Sequence, residues 1–243
     1  MTHAPHSCPP ACLSALETRP WGERLFLARC DYRSDLLATE HFPQAGVPLP
    51  ESLASAVAKR RTEYLAGRVC AQAAMAALGH RPVQAPAVNA DRSPAWPAGV
   101  AGAITHSQGR AAALVGDARH WRGVGLDAEA WLPPDRAQRL EKQILTGAER
   151  EALGGLDAHQ RARRITVTFS VKESLFKALY PLTGQRFYFH DAALEDDQTV
   201  LLKTLSQAWP AGARLPFHWQ EDPAHGVLSW ITVAAPGGGA TDL

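Results

Sequence analysis

The feature that most constrains this chain is the stretch from Asp157 to Pro181, which reads as one long helix. Asp157 supplies a start cap, and Pro181, lacking an N–H, marks the expected end. Ile165, Phe169 and Phe176 recur at four and seven residues, an apolar stripe at helical period. Glu173 falls on the same line, where a carboxylate is costly unless a partner or a cation compensates it. Lys177 follows one turn later. By themselves the two also read as an ordinary solvent-face Glu–Lys pair. A fold for this chain must therefore place a sheet beneath the helix and account for Glu173.

A second acidic signal lies upstream in Gly123-Val-Gly-Leu-Asp-Ala-Glu129. Read as a strand, it projects Asp127 and Glu129 from one face, with Cα atoms about 6.6 Å apart. Both carboxylates then reach one cation, and oxygen ligands that leave room for water and phosphate suit Mg²⁺. Two further strands are read just before it, near residues 101–106 and 111–115, joined by the turn Ser107-Gln108-Gly109-Arg110. A helix is read from about Ser55 to Leu78, closed by Gly79. Its first turns carry Lys59, Arg60, Arg61 and Arg68, a solvated basic face or a phosphate grip.

The remainder is quieter. Residues 1–15 read as a lead-in, and residues 40–52 and 82–99 as Pro-bearing loops, the latter with a turn at Asp91-Arg92-Ser93-Pro94. Thr146 and Glu149 form a capping-box pattern. Later strands are expected near residues 200–202, 215–220 and 227–233, and a Gly-rich tail from Pro236. His3, His6, Cys8 and Cys12 have metal-ligand chemistry, but their spacing fits no zinc knuckle; free thiols in a loose terminus are the plainer reading.

The 243 residues carry a net charge of +1, so bulk electrostatics favour neither nucleic acid nor a membrane surface. No apolar run approaches a membrane span, and the start lacks a signal-peptide pattern, so a cytoplasmic protein is expected. The order helix-then-strands occurs once in each half. The expected fold is α+β: two similar halves, residues 1–122 and 123–243, related by a pseudo-twofold.

Four segments together resemble the 4′-phosphopantetheinyl transferases, in the two-halved monomeric type represented by enterobactin synthase component D. They are Lys59 to Arg68, Arg92 to Gly99 with Ala103 to Ser107, Gly123 to Glu129, and Phe169 to Lys177. The last two lie about 40 residues apart in the family's order. The resemblance implies Mg²⁺-dependent transfer of the phosphopantetheine arm of coenzyme A to a serine of an apo acyl or peptidyl carrier protein, releasing 3′,5′-ADP. It implies coenzyme contacts in the first half and metal and catalytic groups in the second. Asp127, Glu129 and Glu173 match metal ligands, Glu173 also the general base, and Lys177 a charge-neutralising group. Arg60, Arg68 and His106 match a grip on the 3′-phosphate and pyrophosphate. Asp91, Arg92, Ser93, Pro94, Thr105 and Phe187 match positions lining the coenzyme, as do Asp127, Glu173 and Lys177. Departures are Ala128 in place of a β-branched residue, Thr105 in place of serine, and no lysine in the loop before Pro94, where Arg92 is the expected cation. A Mg²⁺-dependent phosphodiester or pyrophosphate hydrolase would use the same acids but needs neither the basic helix nor Thr105-His106.

Overall fold

The computed structural model describes residues 9–222 and 226–236. The chain divides into two units, one ending at Asp117 and the other beginning at Ala118. The division precedes the expected 122/123 boundary because Trp121 already pairs with Ala234 in the second unit's sheet.

In the first unit, β1 (Leu13–Gly22) and β2 (Leu25–Tyr32) form a hairpin, followed by short helices α1 (His41–Gln44) and α2 (Glu51–Ala54). The long helix α3 (Ala58–Leu78) comes next, then a two-residue ladder of β3 (Ala87–Val88) and β4 (Pro94–Ala95), and the hairpin β5 (Val100–Ser107) and β6 (Arg110–Asp117). The four-stranded sheet has the order β1-β2-β6-β5 and is antiparallel throughout. The run Ala111-Ala112-Ala113 keeps β6 low, and α3 lies across the sheet with Leu65, Ala66, Val69, Cys70 and Met75 packed on Ala28, Cys30, Ala113 and Val115. Gly79 ends the helix at φ 87°, its N–H bonded to Ala76 O, a conformation glycine adopts without Cβ strain.

The second unit opens with β7 (Trp121–Glu129), then α4 (Pro134–Ile144), α5 (Gly147–Glu151) and the long helix α6 (Ala158–Thr183). After it come β8 (Ala192–Glu195), β9 (Gln198–Leu201), β10 (Arg214–Pro216), β11 (His218–Asp222) and β12 (Gly226–Ala234). They form two antiparallel three-stranded sheets, β11-β12-β7 and β10-β9-β8. Val171, Leu175, Ala178 and Leu179 of α6 pack with Val227, Ile231 and Val233 of β12. The early turns of α6 pack with α4 through Ala162, Ile165, Ala137 and Ile144. Asp157 caps α6 by accepting from His159 N and Gln160 N, and Thr146 makes the expected capping box with Glu149.

Several expectations need correction. The end of the expected lead-in, residues 13–15, already belongs to β1 (Leu13–Gly22), an edge strand whose mostly exposed side chains lack the alternation by which strands are read. Cys12 is buried at 2% exposure, not loose, whereas His3, His6, Cys8 and residues after Pro236 lie outside the described residues. α3 begins at Ala58 because Ser55 closes α2 and Val57 is extended. α6 runs past Pro181 to Thr183 and stops at left-handed Gly184; a proline this near the end removes only one late hydrogen bond. The segment 215–220 breaks at Phe217 into β10 and β11. Strands also flank each long helix on both sides in sequence, so helix-then-strands is not the observed order.

Candidate active site

In the second unit the site is built by the closeness of α6 to β7. Residues 123, 125, 127 and 129 share one face of the strand. A Cβ at Gly125 would fall 1.9 Å from Ser174 O, and one at Gly123 would fall 2.7 Å from Ala178 O. Only hydrogen at these two positions lets the helix backbone rest on the strand. Hydroxyls then stitch the contact. Ser170 and Ser174 each place Oγ 2.8 Å from Ser229 Oγ, and Ser174 Oγ also donates to Ser229 O at 3.0 Å. Ser229 of β12 is the register partner of Asp127.

This contact brings Lys177 onto the strand. Its Nζ donates to Leu126 O at 3.0 Å and to Asp127 Oδ1 at 2.7 Å. Lys177 thus pairs across elements with Asp127, as a plain surface Glu173–Lys177 pair would not require. Asp127 is buried, while Glu129 and Glu173 are half-buried. Burial first, and the Asp127 charge next, push the Glu129 carboxyl up to about 7, with Glu173 adding to the push and Lys177 and Arg136 opposing it. Burial likewise raises Glu173, with Lys177 opposing and Asp127 reinforcing. The three acids therefore feel one another.

Glu173 does not face the core as its stripe suggested. It is half-buried, as are Phe169 and Phe176 on the same stripe. Among the described residues no three His, Cys, Asp or Glu side chains are grouped as a metal cage; Lys177 takes one oxygen of Asp127. The donor set nevertheless fits a hard divalent ion, being three carboxylates whose mutual repulsion a cation would relieve. Glu173 also lines a cleft of ≈ 220 Å³ with Phe176, Arg186, Phe187 and Phe189. Phe187 is buried at 5% exposure, its ring 5.4 Å from that of Phe176. Buried Lys172, which also lines the cleft, donates to Glu149 Oε2 at 2.7 Å and to the carbonyls of Ile144 and Phe189, so it fastens the cleft wall.

The first unit gathers a second set. Arg60 Nη1 lies 3.0 Å from His106 Nε2. Arg68 is buried; its Nε donates to Pro86 O at 2.7 Å and its Nη2 to Ala87 O, while its guanidinium stacks 4.5 Å from the Tyr64 ring. Arg68 therefore anchors the strand that leads into the 91–94 turn. There Asp91 Oδ1 accepts from Ser93 N and Ser93 Oγ, Arg92 sits at φ 73°, and Pro94 starts β4. Arg92 is exposed and Thr105 is buried in β5. Sequence reasoning passed over Glu63, whose carboxylate lies between Arg60 and His106. Its signal was present: it stands three residues after Arg60 and four before Gly67, on one helix face.

Comparison with known proteins identifies the family. Residues 49–116 match the 4′-phosphopantetheinyl transferase N-terminal domain, and residues 123–226 match the 4′-phosphopantetheinyl transferase superfamily. The chain is 38% identical over 199 residues to the 4′-phosphopantetheinyl transferase Svp of Streptomyces mobaraensis, covering 78% of this chain and 79% of that one. It is 36% identical to PptT of Mycobacterium tuberculosis, over 65% of this chain and 70% of the other. It is 32% identical to enterobactin synthase component D of Escherichia coli strain K12, over 76% and 80%. The chain belongs to the 4′-phosphopantetheinyl transferase superfamily. No helix among the described residues is long and apolar enough to cross a membrane.

Proposed function

We propose that the protein moves the phosphopantetheine arm of coenzyme A to a serine hydroxyl of an acyl or peptidyl carrier protein, with Mg²⁺ as the metal. The observation that carries this reading is the Lys177–Asp127 contact, with Glu173 one turn along the same helix. Phosphoryl transfer asks for positioning and charge neutralisation more than for covalent chemistry by the protein. Asp127, Glu129 and Glu173 would hold Mg²⁺. When bound, the ion supplies charge neutralisation at the pyrophosphate oxygens. Glu173 accepts the proton of the carrier serine; burial, by raising its proton affinity, suits it to that task near neutral pH. Lys177 offers a positive charge to the transferred phosphate.

In the first unit, Arg60 and His106 take coenzyme phosphates. Arg68 holds the loop of Asp91, Arg92, Ser93 and Pro94 in place, Arg92 being its exposed cation. Thr105, which matches a coenzyme-lining position, is buried on the β5 face opposite His106, and in the second unit Phe187 forms apolar wall beside Glu173. Arg60→Ala is expected to weaken coenzyme A binding while slowing the saturated rate less; calorimetry with coenzyme A alone checks the first part. The reaction class is tested by product analysis. Incubation with coenzyme A and Mg²⁺ should leave the coenzyme intact until an apo-carrier is added, and should then give 3′,5′-ADP and carrier bearing one arm. Coenzyme breakdown at the same rate without a carrier would mark a hydrolase.

A further inference from the structure

Glu63 is a buried carboxylate that the chemistry above does not use. It is 9% exposed, although a buried charge is costly unless it is paired. Its place follows from the packing of α3 on β5. A Cβ at Gly67 would lie 2.7 Å from Ile104 Cγ2, so the two elements approach closely there. One helical turn earlier on the same α3 face stands Glu63, and two residues later on the same β5 face stands His106. Glu63 Oε2 lies 3.5 Å from Arg60 Nη1 and 3.8 Å from His106 Nδ1. Burial, and next the nearby Glu63 charge, push the Tyr32 hydroxyl up to about 12, so it stays protonated beside the carboxylate.

The 3.0 Å contact between Arg60 and His106 sets the roles. A guanidinium N–H only donates, so Nε2 of His106 accepts and its ring proton sits on Nδ1, the nitrogen facing Glu63. The side chains of Arg60 and His106 are 52% and 34% exposed, whereas that of Glu63 is 11% exposed. The two nitrogen-bearing groups thus open outward and the acid backs them from within. Without that acid, the Arg60 guanidinium and the Nδ1–H of His106 would lose the acceptor that faces both from within.

We propose that Glu63 is a positioning residue that holds Arg60 and His106 side by side, so that both engage one phosphate of coenzyme A. The proposal rests on the reading of Arg60 and His106 as phosphate ligands.

The test measures KM for coenzyme A and kcat, with saturating apo-carrier, in Glu63→Gln, Arg60→Ala and the double variant. Glu63→Gln should raise KM about tenfold with kcat changed by less than about threefold, and the double variant should be little worse than Arg60→Ala. Glu63→Asp, which keeps the charge but shortens its reach to Arg60 and His106, should raise KM in the same direction by a smaller factor, and serves if Glu63→Gln does not fold. A rise in KM with Arg60→Ala but none with Glu63→Gln or Glu63→Asp would overturn the positioning role and leave the phosphate reading standing. So would fully multiplicative effects in the double variant. An unchanged KM in Arg60→Ala would overturn both.

Discussion

Glu173→Gln is expected to bind coenzyme A and yet lose at least about a hundredfold in single-turnover transfer at saturating Mg²⁺, the lower end of what a general base contributes. The substitution keeps the side-chain length and one carbonyl oxygen, so a cation retains a neutral ligand there. It removes the negative charge and the basicity. Burial already raises the proton affinity of Glu173, with Lys177 opposing, so the carboxyl is tuned by surroundings that the amide does not disturb. Near-normal transfer by this variant would return Glu173 to holding the metal or to a solvent-face pairing with Lys177. The stability change should be under about 1 kcal/mol, since the side chain is half-exposed and Lys177 gives its hydrogen bonds to Leu126 and Asp127.

Gly125→Ala is the second large effect, and it acts through packing alone. The added methyl would sit 1.9 Å from Ser174 O and 3.1 Å from Ala178 Cβ, and a backbone carbonyl in mid-helix cannot turn aside. Either α6 lifts from β7 or the strand shifts. The stability cost should reach or exceed the top of the ~1–3 kcal/mol range for overpacked cores, read by urea unfolding. Activity should fall by about a hundredfold, because a displacement near 1 Å separates Lys177 from Asp127 and moves Glu173 relative to both. Gly123→Ala should follow in the same direction and less severely, its nearest contact being 2.7 Å from Ala178 O. Wild-type stability and rate in Gly125→Ala would show that the close approach of helix and strand is not what assembles the site.

The glycines show what was legible in the sequence and what was not. The strand 123–129 and the helix bearing Glu173 were both readable, because two-residue and helical periods are local properties. The pairing of Lys177 with Asp127 was not, because it depends on how closely α6 lies on β7, and that distance is set by Gly123 and Gly125 meeting carbonyls some 50 residues away in the chain. The end of α6 was misread for a related reason. A proline signals a stop, but here the stop is made by the left-handed glycine three residues later. Arg68 read as part of a solvated basic face or a phosphate grip, yet it is buried and donates to two loop carbonyls, since α3 is covered on that side by residues 86–87. Glu63 was hidden by the conspicuous arginines around it, and only β5 reveals why an acid stands among them.

The most direct test of the whole account is the single-turnover transfer rate of the wild type and Asp127→Asn as free Mg²⁺ is varied, from chelator to saturation. In the wild type, transfer to an apo-carrier should be lost in chelator and rise to a plateau with Mg²⁺. In Asp127→Asn the curve should move to higher Mg²⁺ and recover much of its plateau, because that carboxylate is assigned to the cation and not to the proton. Full transfer in chelator, or an Asp127→Asn curve that overlies the wild type, would contradict a metal-assisted centre built from β7 and α6.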